Sequence, residues 1–351
     1  MNRWRFIAHA AAICLVATLA LPGAAAAPGP AIAAPAEHRR GPEQTFLTVP
    51  EWFLVHSPAE YAEFIASQPP SAFPYFGHIG QFWQTYDAVY DATKSDYPFN
   101  AGYHVMVMVI GTSTTVEYGL KAAYETLIGR LTELSRTEGM TEEDIFAARV
   151  AQDYVDFVRV IPWYEYDFWL RLQELWETSL WGPDPIRKWE RKYALTTEYA
   201  AKALYAWAIK KLTKMGYDEP LSVTAVLIDP LPPTSHAEVP ELAVLDRRPD
   251  GAVLATVPRY YPFTHYAIAL ARDGATFREI AGNRGEIVVS ALVPAAWEPP
   301  ADAGWRIFLV QPILTQPETK RIVLAVPVPG LAETLNRLAQ PPVRIEHVYD
   351  Y

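Results

Sequence analysis

An internal repeat near the C-terminal end of the chain limits its fold more than any other feature. The first copy reads strand, proline, helix and strand, at residues 254–257, 258, 263–271 and 276–281. The second copy has the same order, at residues 324–326, 327, 331–339 and 344–349. Aligning the two prolines, with one gap, places Phe277 on Ile345 and Ile280 on Val348. A repeat with this much internal order predicts two copies of one structural unit.

Two further strand patterns precede each copy, at residues 222–228 and 242–247, and at residues 286–293 and 306–314. Each unit is therefore predicted to contain three strands, a helix and a fourth strand. A helix covering one face of a mainly antiparallel sheet is the natural layered arrangement of such a unit. We predict a duplicated, ferredoxin-like type of α/β domain over residues 220–351.

Residues 45–217 show helical periodicity instead, and they hold most of the 11 Trp and 20 Tyr residues of the chain. The whole chain is therefore predicted to be α+β, with an N-terminal, bundle-like α-helical domain followed by the duplicated α/β domain. Residues 97–116 carry no formal charge, which also raises a transmembrane interpretation. The polar residues within this stretch, and Glu117 and Lys121 after it, favour a buried core helix.

The N-terminus has the pattern of a secretory signal. Arg3 and Arg5 precede a 16-residue stretch without formal charge, and Pro22-Gly23 and small alanines follow. Residues 1–27 are predicted to be a signal peptide cleaved after Ala26, or else an uncleaved N-terminal anchor. Residues 28–44 are rich in Pro and Ala, then polar, and are predicted to be a flexible linker.

Charge and cysteine content exclude several classes of function. The formal net charge of −10 argues against nucleic acid as the main partner, because nucleic-acid binding requires a basic surface. The one cysteine, Cys14, lies in the leader. A mature chain without it has no disulfide, no thiolate metal site and no cysteine nucleophile.

Four short segments between residues 73 and 133 carry a resemblance, namely Phe73-Pro74-Tyr75-Phe76-Gly77, Tyr97-Pro98-Phe99-Asn100, Gly102-Tyr103-His104 and Ile110-Gly111-Thr112-Ser113. Residues 73–133 resemble segments of uncharacterised bacterial exported proteins. The resemblance implies no activity.

The strongest candidate for chemistry lies on the predicted helix that starts near Gly102. His104, Tyr118 and Glu125 are separated by multiples of seven residues, so they lie near one face. Glu117 and Lys121 lie on the neighbouring stripe, in the order that favours an ion pair. These five side chains could line an acid/base site, and His104 and Glu125 could hold a metal with His78, Asp153 or Asp156. The alternative is a structural helix with a hydrogen-bonded His and Tyr. No cofactor is otherwise predicted.

A basic segment at residues 184–215 is the second candidate. This segment contains eight cations but only three anions, Asp184, Glu190 and Glu198. Its net charge is therefore five positive charges (8 − 3), in a chain that is acidic as a whole. Cations beside Trp are typical of proteins that bind anionic membranes. The predicted membrane-surface residues are Arg187, Lys188, Trp189, Arg191, Lys192, Trp207, Lys210, Lys211 and Lys214. The alternative is a solvated basic face over an aromatic core.

Together these features predict an exported envelope protein, periplasmic or tethered to the inner membrane, that binds a partner or an apolar ligand there. An anionic membrane surface and another envelope protein are the expected partners. The alternative is a metal-dependent or acid/base enzyme with its site around His104, Tyr118 and Glu125. Familiar catalytic motifs such as a P-loop, GxSxG and HExxH are absent from the sequence.

Overall fold

The computed structural model describes residues 31–137, 139–213, 222–232 and 239–351. The predicted leader and Lys214 lie outside these residues. Ala33–Tyr351 belongs to one compact unit.

The N-terminal part is helical, as predicted. Its helices are α1 (Gln44–Glu51), α2 (Phe53–Ile65), α3 (Tyr75–Thr93), α4 (Ala101–Tyr124), α5 (Arg130–Leu134), α6 (Glu142–Val158), α7 (Phe168–Glu177) and α8 (Pro185–Thr213). Side-chain caps fix several starts. Asn100 accepts a hydrogen bond from the backbone N–H of Tyr103, and Thr141 and Asp144 form a reciprocal capping box.

Helix α4 continues through a π-helical turn, Glu125–Gly129, into α5. Only one side of α4 is buried, through His104, Val107, Gly111, Thr114, Tyr118 and Ala122. At Gly111 a Cβ atom would lie 2.2 Å from Cε1 of Phe82, so only glycine lets α3 approach this closely. The predicted buried core helix is thus half right, because the other side of α4 is exposed.

The C-terminal part contains two four-stranded antiparallel sheets, as the repeat predicts. The first unit comprises β1 (Val223–Asp229), β2 (Ala243–Arg247), β3 (Val253–Pro258), α9 (Tyr261–Arg272) and β4 (Thr276–Ile280). The second comprises β5 (Glu286–Pro294), β6 (Arg306–Ile313), β7 (Gln316–Pro327), α10 (Leu331–Leu338) and β8 (Arg344–Val348). The strand orders, β2-β3-β1-β4 and β6-β7-β5-β8, are equivalent.

Strand register confirms the alignment of the two copies. Ile280 pairs with Val226 on β1, and Val348 pairs with Val289 on β5. In both sheets one further pair follows, and the register then shifts by one residue. The units share one hydrophobic core, to which α9 and α10 both contribute. Within its described residues, each unit has one α-helix, and that helix lies between the third and fourth strands.

The two predicted domains also share a core with each other. Phe46 and Trp52 of the helical part cluster with Val288, Val323 and Tyr349 of the second sheet. The Val288 backbone N–H donates to the Thr45 hydroxyl over 2.9 Å. The second sheet therefore forms part of the surface on which α1 and α2 fold.

Residues 33–44 are not the flexible linker that their composition predicts. Ala34 is buried, and its backbone N–H donates to Oε1 of Glu279 over 2.7 Å. A short 3-10 helix, Ala36–His38, follows, and α1 begins at Gln44. This segment is fixed by hydrogen bonds to the first sheet, which composition does not reveal.

Candidate functional site

The three residues of the predicted acid/base site are buried on one side of α4 and the turn after it, but they lie far apart. A helix rises 1.5 Å per residue, so His104 lies roughly 30 Å from Glu125. The two residues cannot hold one metal ion, and Asp153 and Asp156 pair with Arg171 and Arg159 instead. Across the described ranges, no group of three or more His, Cys, Asp and Glu side chains is placed to bind a metal.

His104 occupies the first turn of α4. Its Nδ1 lies 3.0 Å from the Tyr86 hydroxyl, and its ring stacks on Phe99 with centroids 4.3 Å apart. Burial lowers the pKa of His104, so the ring is neutral at pH 7. These contacts give His104 a packing role.

Glu125 belongs to a buried charge cluster at the start of α8. It accepts a hydrogen bond from Arg191 Nη1 over 2.7 Å. Arg187 pairs with Asp144 at 3.1 Å, and Lys188 pairs with Glu143 at 2.8 Å. The side chains of this cluster come from the acidic first turn of α6, the π-helical turn and α8.

The predicted membrane-surface role is wrong for four cations. Arg187, Lys188, Arg191 and Lys192 are 0%, 3%, 2% and 1% exposed. These cations neutralise carboxylates of α6 and of the π-helical turn. Folding buries those carboxylates, and a buried charge requires a partner of opposite charge. The positive charge that the sequence shows in this part of α8 is thus directed inward.

Of the other predicted surface residues, the four that the structure describes, Trp189, Trp207, Lys210 and Lys211, do lie on the surface. Trp189 and Trp207 are exposed. Lys211 lies 4.6 Å above the Trp207 ring, and Lys210 pairs with Glu165 at 3.1 Å. This aromatic, sparsely charged end of α8 belongs to a larger surface.

That surface starts on the outer side of α4 and α5. Leu120, Leu127 and Leu134 recur every seven residues and are 68%, 65% and 83% exposed. Val105, Val109, Val116 and Leu131 are exposed beside them. At spacings of three, four and eleven residues, α8 exposes a matching row of Ile186, Trp189, Tyr193, Leu204 and Trp207.

Aromatic contacts connect these rows. The rings of Tyr124 and Tyr193 are 6.5 Å apart, which joins α4 to α8. The rings of Trp176 and Trp189 are 6.4 Å apart, which joins α7 to α8. We name the combined surface the apolar face; it comprises Val105, Val109, Val116, Leu120, Leu127, Leu131, Leu134, Trp169, Trp176, Ile186, Trp189, Tyr193, Leu204 and Trp207. None of the described helices is both long and apolar enough to span a bilayer.

Beneath the apolar face, α4 and α8 are held together by a ring of four charges. Lys121 lies 3.2 Å from Glu117 and 2.8 Å from Glu198. Lys202 lies 3.1 Å and 2.9 Å from the same carboxylates. Burial opposes ionisation of all four groups, but their mutual attraction is stronger, so the pKa of each lysine is raised and that of each glutamate lowered. The predicted pair Glu117–Lys121 is therefore half of a closed, neutral ring.

This ring borders a cavity of about 90 Å³ between α2, α4, α6 and α8. Tyr118 lines the cavity, and its hydroxyl lies 2.7 Å from Ser57 Oγ. Ser57 Oγ in turn lies 2.9 Å from Nδ1 of His78. The opposite nitrogen of that ring, Nε2, faces Oε2 of Glu60 at 3.6 Å. The structure thus brings Tyr118 close to His78, which the sequence predicts as a possible metal ligand. It also brings Tyr118 close to Ser57, which is not among the residues predicted from the sequence.

The surroundings of His78 fix its protonation state. Burial, and then the charge of Arg321, lower its pKa to about 3, so the imidazole is neutral at pH 7. Burial raises the pKa of Tyr118, which keeps its hydroxyl protonated. Arg321 Nη2 donates to Glu60 Oε1 over 3.0 Å and holds that carboxylate in place.

Comparison of the chain with protein-family models, with curated proteins and with solved structures finds no match.

Proposed function

We propose that this is an exported envelope protein that lies on a lipid bilayer through its apolar face. One observation carries the proposal. Among the exposed positions of residues 101–134, Arg130 is the only one with a formal charge. The row from Val105 to Leu134 is roughly 40 Å long at 1.5 Å per residue. Soluble monomers rarely leave so extended an apolar surface in water.

The side chains of the apolar face favour lipid as the occupant. Trp169, Trp176, Trp189 and Trp207 are exposed around its aliphatic rows, and Trp and Tyr concentrate at the boundary between hydrocarbon and water. Lys210 and Lys211 follow at the end of α8, where a cation can reach lipid headgroups. Burial of apolar side chains, rather than attraction of a basic helix, is therefore the proposed source of affinity.

The N-terminal signal supplies the proposed address. A leader cleaved after Ala26 releases a periplasmic protein that binds the inner membrane by its apolar face alone. A retained leader adds a second attachment to the same membrane. N-terminal sequencing of the product in the soluble and membrane fractions distinguishes these two forms.

Vesicle flotation tests the proposal with protein lacking residues 1–26. We expect binding to neutral phosphatidylcholine vesicles as well as to vesicles containing phosphatidylglycerol, and retention in high salt. Leu120→Asp with Leu127→Asp places two charges on the apolar face at exposed sites, and this double variant should no longer float. Leu245→Asp, at an exposed apolar site on β2, is the matched control and should float like the parent protein.

Three outcomes contradict the proposal. Binding that requires anionic lipid and is lost in salt would assign the affinity to cations. A dimer in lipid-free solution that only the double variant dissociates would make the apolar face a contact between copies. Failure to float on either vesicle, with an unchanged circular dichroism spectrum, would leave another envelope protein as the occupant.

A further inference from the structure

Ser57, His78 and Glu60 form a chain of three side chains that ends at the cavity. Ser57 is only 1% exposed, yet it lines the cavity wall. His78 Nε2 and Glu60 Oε2 face each other at 3.6 Å, and neither atom has a hydrogen-bond partner among the described residues. Two buried polar atoms that face each other without a hydrogen bond are costly, so their placement calls for an explanation.

The carboxylate determines which nitrogen of His78 carries the proton. Glu60 accepts from Arg321 and turns its other oxygen toward Nε2. A proton on Nε2 is stabilised by that oxygen, and Nδ1 is left with a free electron pair. Ser57 then donates its hydroxyl proton to Nδ1 over 2.9 Å. A base that accepts from a serine, and is itself oriented by a carboxylate, is the arrangement that activates a serine nucleophile.

Two neighbours hold the serine and the imidazole in place. Phe73 stacks on the His78 ring, with centroids 4.5 Å apart and planes inclined by 28°. Because the Ser57 proton points to His78, the Tyr118 hydroxyl donates to Ser57 Oγ over 2.7 Å. Tyr118 can therefore stabilise negative charge that develops on this oxygen.

We propose that Ser57 is the nucleophile of an ester-hydrolysing site, with His78 as general base and Glu60 as the residue that positions His78. Ser57 Oγ attacks the acyl carbonyl carbon while its proton passes to His78 Nδ1. The Glu60 oxygen that faces Nε2 at 3.6 Å stabilises the imidazolium that forms, which burial and Arg321 otherwise disfavour. The bond to the leaving oxygen breaks, and the His78 proton passes to that oxygen. Water then attacks the acyl-serine, again through His78, and releases a carboxylic acid and the free serine.

The cavity restricts the acyl group. A cavity needs about 10–15 Å³ to hold one water molecule. The cavity of about 90 Å³ therefore holds a group of about half a dozen heavy atoms. Phe53, Ile65 and Val150 give it apolar walls, and the ring of four charges is neutral in sum. These features favour an uncharged ester with a short acyl group, of acetyl to butyryl size. The site is independent of the apolar face, which lies on the outer surface of α4 and α8.

Methanesulfonyl fluoride, a sulfonylating reagent of five heavy atoms, tests the nucleophile. The protein lacking residues 1–26 is treated at pH 7 and its peptides are analysed by mass spectrometry. We expect one methanesulfonyl group on Ser57, no modification of the same peptide in Ser57→Ala, and a rate about 100-fold lower in His78→Gln, which lacks the general base. Ser113→Ala, at a serine on the accessible side of α4, is the control and should leave Ser57 labelling unchanged.

Hydrolysis of p-nitrophenyl acetate supplies the second readout. Release of p-nitrophenol should be lost in Ser57→Ala and retained in Ser113→Ala. If Ser57 of the folded parent protein gains no more label than Ser113, or if Ser57→Ala hydrolyses the ester at the parent rate, the proposed nucleophile is wrong. The labelling readout compares two serines of the folded parent protein, so a variant that fails to fold does not decide it. Neither readout depends on binding to vesicles.

Discussion

Of the buried histidines where the helical part meets the second sheet, His56 and His78 each face a carboxylate. His56 Nδ1 lies 3.3 Å from Glu346 Oε1, and burial, although Glu346 opposes it, lowers the pKa of His56 to about 4. Burial lowers the pKa of His78 to about 3. Arg321 bridges the carboxylates that face them, Glu60 and Glu346. The fold thus keeps two imidazoles neutral beside a buried ion pair.

This arrangement predicts that acid weakens the fold. Below the unfolded-state pKa of about 6.5 the unfolded chain binds protons that the folded histidines do not, so the free energy of unfolding rises with pH. The stabilisation present at pH 7 is lost as pH falls from about 6.5 toward the folded values. Each histidine should contribute a loss of about 2 kcal/mol at pH 5, from 1.4 kcal/mol per pH unit.

Urea unfolding at pH 7, 6 and 5 measures this loss. His56→Gln and His78→Gln should each flatten the dependence of the unfolding free energy on pH. His265→Gln, at an exposed site on α9, should give a curve parallel to that of the parent protein. Equal slopes for all four proteins would show that the acid sensitivity arises elsewhere.

At the residue scale, the sequence predicts which side of a helix a residue lies on better than it predicts which residues that side chain contacts. His104, Tyr118 and Glu125 do lie on one buried side, because seven-residue spacing is a local property of a helix. The burial of Arg187 depends on Asp144, more than 40 residues away, and no local pattern encodes that contact. The sequence around Ser57 does not mark it as part of a site, because Ser-Pro is typical of a helix start, whereas α2 begins at Phe53 and includes Pro58.

At the element scale, α4 shows why a stretch without charge is ambiguous. Its buried side uses small and polar residues, among them Gly111, Thr114 and Ala122, whereas its exposed side carries Val and Leu. A sequence pattern that counts apolar residues assigns the second side to the core. The close approach of α3 instead requires a small residue on the buried side at Gly111, because a larger residue there would overlap Phe82.

Two glycines on α4 make a matched pair for testing this packing. Gly111→Ala should destabilise the protein by about 1–3 kcal/mol, because its Cβ would overlap the buried Phe82 ring. Gly119→Ala meets nothing within 4 Å and should stabilise α4 by about 0.5–1 kcal/mol through helix propensity. Thermal unfolding of both variants is the measurement, and shifts of the same sign would contradict the packing of α3 on α4.

At the scale of the whole molecule, the sequence predicts the duplication and misses how the halves join. Strand patterns and the prolines at 258 and 327 are local signals, and they suffice to align Ile280 with Val348. The contact of Phe46 with the second sheet is long-range, so it leaves only an apolar residue in the sequence. The apolar face is equally hidden, because it depends on which rows of α4, α7 and α8 the fold leaves uncovered.

The central claim is that the apolar face enters the lipid, and site-specific labelling tests it most directly. Protein lacking residues 1–26 contains no cysteine, so Leu127→Cys, Leu204→Cys and Leu245→Cys can each carry one environment-sensitive fluorophore. With phosphatidylcholine vesicles, we predict a blue-shifted, brighter emission from the labels at 127 and 204 on α4–α5 and α8. The label at 245 on β2 should not change. Unchanged emission at 127 and 204, or an equal shift at 245, would contradict insertion of the apolar face.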